Sequence, residues 1–180
     1  KLLEISTRPG NGNLFDKYYD NAVTNAEKLS SIEGYESEGK TLLAGIYMMK
    51  IASNPMAAVS LTSKIHSLLD EAQNNNSSNP RSYIIRGIMK LQTPAVFGGS
   101  NEDAAKNFAK AIQLFEKEDD VNPLLPHWGY LESLVWMGRT QEMLENYDAA
   151  KFSYQKVLNI EPEYGWVKYS LLPALIKKME

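Results

Sequence analysis

Residues 34–41 read GYESEGKT and match the spacing G-x-x-x-x-G-K-[ST], which is the pattern of a phosphate-binding P-loop. In such a loop, backbone N–H groups surround the phosphates, the lysine reaches the terminal phosphates, and the final hydroxyl binds Mg²⁺. The residues at the fixed positions are Gly34, Gly39, Lys40 and Thr41. The spacing alone therefore raises the question of nucleotide binding.

The residues around this segment argue against a P-loop. A P-loop follows a buried strand that aims its backbone donors, whereas the preceding residues, NAEKLSSIE (25–33), are polar with helical spacing. Glu36 and Glu38 would place two negative charges beside the phosphates. We interpret the segment as a helix start, in which Gly34 ends one helix and the two glutamates lie in the first turn of the next, where the helix dipole favours them.

Few other residues have side chains that could bind a metal or take part in catalysis. His66 and Asp70 are four positions apart and could hold a metal ion, but no third ligand is evident. The chain has no cysteine and none of the common hydrolase or metalloprotease motifs. Carboxylate pairs such as Glu142 and Glu145 fit solvated helix faces. We predict no catalytic residues, no metal and no cofactor, and hence a protein that is not an enzyme.

Composition narrows the possible partners. The formal net charge of −3 gives no electrostatic reason to expect nucleic acid. The longest apolar run, LLAGIYMM (42–49), is too short to span a bilayer. The first residue is Lys1 and not Met, which indicates a fragment or a processed form, and a removed signal peptide is one explanation. The compartment stays open, with an exported or periplasmic location favoured over a cytoplasmic one.

Apolar residues recur at helical spacing throughout, and no segment shows the alternation of a strand. Clusters of Pro, Gly and Asn separate the periodic stretches. The pattern predicts an all-α protein of about eight helices, at 14–31, 35–53, 55–74, 80–93, 101–117, 126–145, 147–160 and 163–179.

The helices form pairs that repeat. Ala57 or Ala58, Ala104 and Ala150 open the second helix of successive pairs at a nearly constant interval. Each first helix contains a glycine, at Gly45, Gly87 and Gly138. A glycine inside a helix costs about 1 kcal/mol relative to alanine, so we expect a neighbouring helix to approach it closely. Such a period indicates a helical solenoid.

The third pair, LVWMGRTQEMLENYDAAKFSYQKVLNIEPEY (134–164), resembles a tetratricopeptide repeat. The matching positions are Gly138, Tyr147, Ala150, Tyr154, Val157 and Pro162. The resemblance departs from the family pattern at Leu134, where Trp is common, and at Gln141, where Tyr is common. It implies a right-handed α-α superhelix of antiparallel helices, forming a single domain over 1–180. Its pairs would be 34–75, 80–118 and 126–162, flanked by helices 14–31 and 163–179.

Tetratricopeptide proteins are interaction scaffolds, so the resemblance implies a non-catalytic function in which the concave groove binds a peptide or protein segment. Residues at fixed offsets from the helix glycine line that groove in the family. Transferred to this chain, the predicted groove residues are Leu42, Ile46, Met49, Lys50, Ile88, Gln92, Val135, Arg139, Glu142 and Met143. Apolar side chains beside Lys50 and Arg139 would suit an amphipathic helix with an acidic end. The structural alternative is that several of these apolar residues belong to the core and do not line a groove.

A second resemblance points to another function. The segment LQTPAVFGGSNEDAAKNFAKAI (91–112) is similar to the P-x-x-F-G-G loop of bacterial tetratricopeptide lipoproteins associated with TRAP solute transporters. It implies a solute-binding accessory component of a periplasmic transport system, with a closed ligand cavity near Phe97 to Ser100. The structural alternative is a tight loop that needs positive φ at Gly98 and Gly99.

Overall fold

The computed structural model describes residues 12–118 and 126–180. Throughout these two ranges every regular element is helical and no strand is present, so the all-α prediction is confirmed. The α-helices are α1 (Gly12–Ser30), α2 (Glu36–Ser53), α3 (Ala58–Asn75), α4 (Pro80–Gln92), α5 (Asn101–Phe115), α6 (Tyr130–Met143), α7 (Tyr147–Ile160) and α8 (Leu172–Met179). Short 3₁₀ turns, Pro55–Ala57 and Ala95–Phe97, precede α3 and α5.

Two predicted helices differ from the observed ones. The helix predicted over 126–145 begins only at Tyr130, because Gly129 before it has a left-handed backbone, φ 115°, that cannot be part of an α-helix. The helix predicted over 163–179 contains a π-helical turn, Val167–Leu171, before α8. The Leu172 N–H bonds to the Val167 carbonyl five residues back, and Pro173 has no N–H with which to continue the α-helical pattern.

The chain divides into two compact units, Lys1–Ile85 and Arg86–Glu180, with the boundary inside α4. In the first unit α2 packs against both α1 and α3. Because neighbours flank it on two sides, no residue of α2 from 36 to 51 is exposed. The buried apolar side chains of this unit include Phe15, Leu43, Ala44, Ile65 and Leu69.

In the second unit the helices pack as neighbours, α5 on α6, α6 on α7 and α7 on α8. Its core comprises the buried side chains Leu134, Val135, Ala150, Tyr154, Val157, Val167 and Leu175. Within α7, Ala150, Tyr154 and Val157 recur at intervals of four and three residues, which is the spacing that places them on one face of the helix.

An aromatic ring of the following helix covers the glycine in both α4 and α6. A Cβ atom added to Gly87 would lie 2.6 Å from the Phe108 ring, and one added to Gly138 would lie 2.4 Å from the Tyr154 ring. Both aromatic side chains are fully buried. The predicted close approach of a neighbouring helix is therefore confirmed at these two glycines, and the same packing occurs in two successive helix pairs.

The first pair packs differently. A Cβ atom on Gly45 would lie 3.4 Å from the Ile85 side chain, which is an ordinary contact distance. No aromatic residue lies within 4 Å of a Cβ atom at this position. Phe108 and Tyr154 lie four residues after Ala104 and Ala150, and the same count from Ala57 or Ala58 gives Leu61 or Thr62 in α3. The close approach predicted for Gly45 is therefore weaker than the one at the other two glycines.

Candidate functional site

The P-loop-like segment forms the beginning of α2. The helix α1 precedes it, Gly34 has a left-handed φ of 85°, and α2 starts at Glu36. Lys40 forms an ion pair with Glu71 of α3. A Cβ atom on Gly39 would lie 2.2 Å from the backbone nitrogen of Ser30, so this glycine allows α1 and α2 to approach closely. The interpretation of this segment as a helix start is confirmed.

The polar residues of the same segment are used in packing. Ser37 Oγ donates a 2.8 Å hydrogen bond to the Ala72 carbonyl, which joins α2 to α3. The Asn79 amide donates to Ser37 Oγ at 3.0 Å and to the Glu38 carboxylate at 3.3 Å. All three polar side chains are buried. Glu38 therefore accepts a structural hydrogen bond from Asn79, in the segment that would surround a phosphate in a P-loop.

The predicted groove residues of the first unit lie in α2. Leu42, Ile46 and Met49 are half-buried. Lys50 contacts α1, because its Nζ lies 3.2 Å from the Asp16 carboxylate and 4.8 Å from the centre of the Tyr19 ring. The charge of Lys50 is therefore neutralised within the chain.

The remaining predicted groove residues lie in α4 and α6. Ile88 is half-buried and Gln92 is exposed. Val135 is only 1% exposed and belongs to the core of the second unit, so it offers no surface to a partner. Met143 is 50% exposed.

The Arg139 guanidinium lies over the rings of two tryptophans. Its guanidinium carbon lies 4.8 Å from the centre of the Trp136 ring and 5.4 Å from that of Trp166. The two indoles meet edge to face, with 6.1 Å between their centres. Throughout 12–118 and 126–180 no carboxylate pairs with Arg139 and no acceptor bonds to it. Stacking uses the face of a guanidinium and leaves its N–H edges available to an acceptor.

Glu142, one helical turn after Arg139, has its own internal partners. Its Oε1 accepts a 2.6 Å hydrogen bond from the Tyr154 hydroxyl, and its Oε2 accepts one of 2.8 Å from Lys178 Nζ. The Glu142 side chain is 13% exposed. Both oxygens are engaged, so this carboxylate stabilises the contact among α6, α7 and α8, and it leaves Arg139 without a neutralising partner.

These contacts define a surface that we call the aromatic–arginine surface, consisting of Trp136, Arg139, Met143 and Trp166. Trp136, Arg139 and Met143 lie at i, i+3 and i+7 of α6 and therefore share one face of the helix. Sequence reasoning identified Arg139 and Met143 but missed both tryptophans. Trp136 was visible as an aromatic three positions before Arg139, whereas Trp166 lies beyond the repeat pattern and gave no signal.

The loop between α4 and α5 is tightly bonded and presents apolar side chains outward. Gly98 has a left-handed φ of 90°, and a Cβ atom on Gly99 would clash with the Thr93 carbonyl. The Ser100 N–H bonds to the Lys90 carbonyl, and Ser100 Oγ caps α5 by accepting from the Asp103 N–H. The tight-loop interpretation is confirmed for Gly98, while Gly99 needs the absence of a side chain and not a positive φ.

The side chains at the tip of this loop face solvent. Val96 is 85% exposed and Phe97 is 77% exposed. They do not line an enclosed cavity. A shallow depression of about 650 Å³ lies elsewhere, lined by Glu145, Asn146, Tyr147, Asp148, Ala149, Lys178 and Met179.

Within the described ranges, no group of three His, Asp or Glu side chains is arranged to hold a metal ion. None of the described helices is both long enough and apolar enough to cross a bilayer.

No protein-family model and no curated protein sequence matches the chain.

Proposed function

We propose that the chain is a non-catalytic interaction scaffold that binds an acidic segment of a partner protein at the aromatic–arginine surface. Arg139 would bind a carboxylate of the partner, while Trp136, Trp166 and Met143 would contact its apolar side chains. Arginine and tryptophan are the residue types that most often dominate the energy of protein interfaces. Methionine adapts to partners of different shape.

The observation that carries the proposal is the unpaired charge of Arg139. A half-buried guanidinium is normally paired, and here its described contacts are the two aromatic rings. The rings hold the side chain in one orientation, which lowers the entropy that binding would otherwise cost. A carboxylate can accept two parallel hydrogen bonds from a guanidinium, so an acidic side chain suits this position best.

We also propose that the helix pairs form a tetratricopeptide-like superhelix. The repeated packing of Phe108 on Gly87 and of Tyr154 on Gly138 supports this proposal. The exposed tip at Val96 and Phe97 gives no support to the alternative of a solute-binding transport component, which needs a closed cavity in that loop.

The test is affinity capture with charge-reversed variants. The wild-type chain is immobilised beside Arg139→Glu and a matched control, Lys110→Glu, which reverses a charge at an exposed position of α5. Captured proteins are identified by mass spectrometry, and circular dichroism verifies that all three chains keep the same helix content. We expect at least one protein that the wild type and Lys110→Glu retain and Arg139→Glu loses.

The second stage identifies the chemistry of the contact. Overlapping peptides of the captured protein locate the bound segment, and tryptophan fluorescence follows its binding because Trp136 and Trp166 lie in the site. Replacing the segment's Asp and Glu residues by Asn and Gln should weaken binding by about tenfold or more, the loss typical of a buried charged hydrogen bond. Equal capture by Arg139→Glu, or no enriched protein, contradicts the proposal.

A further inference from the structure

Glu132 shares one face of α6 with three residues of the aromatic–arginine surface, Trp136, Arg139 and Met143. The four residues follow one another at intervals of four, three and four. At about 100° per residue they lie within a sector of about 60° around the helix axis. Glu132 and Met143 are exposed, whereas Trp136 and Arg139 are half-buried. We call these four residues the α6 face.

Buried residues lie on both flanks of the α6 face. Ser133 and Thr140 on one flank are fully buried, and Val135 on the other flank is 1% exposed. Neighbouring parts of the second unit therefore cover α6 on both sides of the face. The face itself stays open as a narrow groove along the helix.

The segment 164–166 lies beside this groove. The Trp166 ring meets the Trp136 ring edge to face, with 6.1 Å between their centres. Burial and then the charge of Glu132 raise the pKa of Tyr164, so the Glu132 carboxylate lies near the Tyr164 hydroxyl. Aromatic side chains thus border the groove at its start and at its middle.

The α6 face carries one charge of each sign. Glu132 lies at its start and Arg139 follows seven residues later, which is about 10.5 Å along the helix axis. Throughout 12–118 and 126–180, neither side chain forms an ion pair. A complementary partner therefore presents two opposite charges at the same separation, with apolar side chains between them against Trp136.

We propose that the groove binds an α-helix of the partner protein that runs antiparallel to α6, with an acidic side chain against Arg139 and, seven residues later, a basic side chain against Glu132. This inference rests on the proposed function, because Arg139 and Trp136 belong to the same surface. It adds the conformation of the bound segment, its direction and a second charged contact.

The spacing of the α6 face favours a helix over an extended chain. Intervals of four, three and four residues are those of a coiled-coil seam, in which the side chains of a second helix fit between those of the first. Residues of such a seam recur at about 5 Å along the axis. Side chains on one face of an extended segment recur at about 6.6 Å and do not keep this step.

The order of the charges favours the antiparallel direction. In an antiparallel partner the acidic residue precedes the basic one. The acid then lies nearer the start of the partner helix and the base nearer its end, which is the arrangement that the helix dipole stabilises. A parallel partner needs the reverse order, which opposes its own dipole.

Two synthetic peptides of identical composition test the direction. Both have about 18 residues, enough for an alanine-rich helix, with leucines at seam spacing and one glutamate and one lysine seven residues apart. The glutamate comes first in the acid-first peptide, and the two charges are exchanged in the base-first peptide. Fluorescence of Trp136 and Trp166 measures binding. The acid-first peptide should bind at least about tenfold more tightly, and equal affinities overturn the proposal.

A third peptide tests the helical conformation. It is the acid-first peptide with a proline between the two charges, which breaks a helix and leaves an extended chain possible. Its affinity should fall by at least about tenfold. Binding as tight as that of the acid-first peptide would assign the groove to an extended segment and overturn the proposal.

A charge exchange tests the contact at Glu132. Glu132→Lys should weaken binding of the acid-first peptide by about threefold to tenfold, because it brings two positive charges together. Replacing the lysine of the peptide by glutamate should restore binding to this variant. The matched control is Glu33→Lys, which reverses an exposed charge in the first unit and should bind like the wild type. Unchanged affinity of Glu132→Lys for the acid-first peptide overturns the contact.

The failure of this inference is distinguishable from that of the proposed function. If both charged peptides bind the wild type equally and Arg139→Glu binds neither, the acidic contact at Arg139 stands and the antiparallel helix is wrong. If Arg139→Glu binds the acid-first peptide like the wild type, both proposals are wrong. If neither peptide binds the wild type, the helical occupant is wrong, and protein capture with Arg139→Glu decides the proposed function separately.

Discussion

The Tyr154 hydroxyl donates a 2.6 Å hydrogen bond to Oε1 of Glu142, and this bond joins α7 to α6 inside the second unit. Lys178 of α8 donates to the other oxygen at 2.8 Å. Burial, together with the hydrogen bond to the carboxylate, raises the pKa of Tyr154 well above its usual range. The phenol therefore stays protonated and remains a donor wherever the protein is folded, so one carboxylate connects three helices.

Replacing this phenol should lower stability. Tyr154→Phe keeps the ring that covers Gly138 but leaves Glu142, 13% exposed, with one fewer donor. A hydrogen bond to a charged group contributes about 1.5–3 kcal/mol, and we expect a loss in the lower half of that range because Lys178 remains. Urea unfolding measures it. The control is Tyr169→Phe, whose hydroxyl makes only an exposed 3.5 Å contact with Glu163, and it should change the free energy of unfolding by less than about 0.5 kcal/mol.

A second prediction concerns Gly138, the glycine of α6 that the Tyr154 ring covers. In Gly138→Ala the new methyl group would lie 2.4 Å from the buried Tyr154 ring. Overpacking costs about 1–3 kcal/mol, and we expect about 2–3 kcal/mol here because the Tyr154 ring is fully buried and cannot move aside. Alanine regains about 1 kcal/mol of helix propensity, so the net loss in thermal or urea unfolding should be about 1–2 kcal/mol. Gly165→Ala is the control, because its methyl group would meet only Tyr169 at 3.9 Å. Equal stability of Gly138→Ala and the wild type would contradict the packing described for α6 and α7.

The sequence predicted the structural features that depend on residues close together along the chain. Helical spacing and breaks at Pro, Gly and Asn located the helices, and glycines at Gly87 and Gly138 indicated close contacts, because these signals act within one or two turns. The π-helical turn was missed although Pro173 stands in the sequence. A proline near a helix start is compatible with an ordinary helix, so its effect depended on how the preceding turn packs.

Contacts between distant positions could not be predicted in this way. Periodicity shows which residues share a face, but it does not identify the helix that covers that face. Lys50 was expected to face a partner, and the structure pairs it with Asp16 of α1. Arg139 was expected to contact a partner protein. Its contact with Trp166 could not be predicted, because Trp166 lies outside the repeat pattern. The sequence therefore predicted Arg139 and Met143 of the aromatic–arginine surface, and tertiary packing adds Trp136 and Trp166.

The ion pair between Glu116, just after α5, and Lys156 of α7 makes the stability of the fold depend on pH. Glu116 accepts hydrogen bonds from Lys156 Nζ at 2.7 Å and from the Tyr130 hydroxyl at 3.2 Å. The bond from Lys156 is the main reason that the pKa of Glu116 is lowered below its usual 4.5. A carboxylate with a lowered folded-state pKa stabilises the protein above its unfolded-state pKa, and that contribution is lost as the pH falls through the folded-state value.

Removing the Glu116 carboxylate should therefore reduce the acid sensitivity. In urea unfolding at about pH 7 and about pH 3, Glu116→Gln should lose less stability than the wild type between the two conditions. The difference should be below about 1 kcal/mol because the Glu116 side chain is 47% exposed and solvent screens the pair. Glu33→Gln, at an exposed position between α1 and α2, serves as the control and should follow the wild type. An identical pH dependence for all three chains would show that the ion pair contributes nothing measurable.

The last prediction concerns Lys50 of α2, whose contacts hold α1 against α2. Its ammonium group lies over the Tyr19 ring and beside the Asp16 carboxylate, and both residues belong to α1. Lys50→Met keeps the length and apolar stem of the side chain but removes the charge, which should loosen α1 by about 0.5–1 kcal/mol. Hydrogen exchange of the α1 amides should accelerate about twofold to fivefold, while α2 and α3 stay protected. Lys64→Met, at an exposed position of α3, is the control, and unchanged exchange in Lys50→Met would return Lys50 to the set of residues available to a partner.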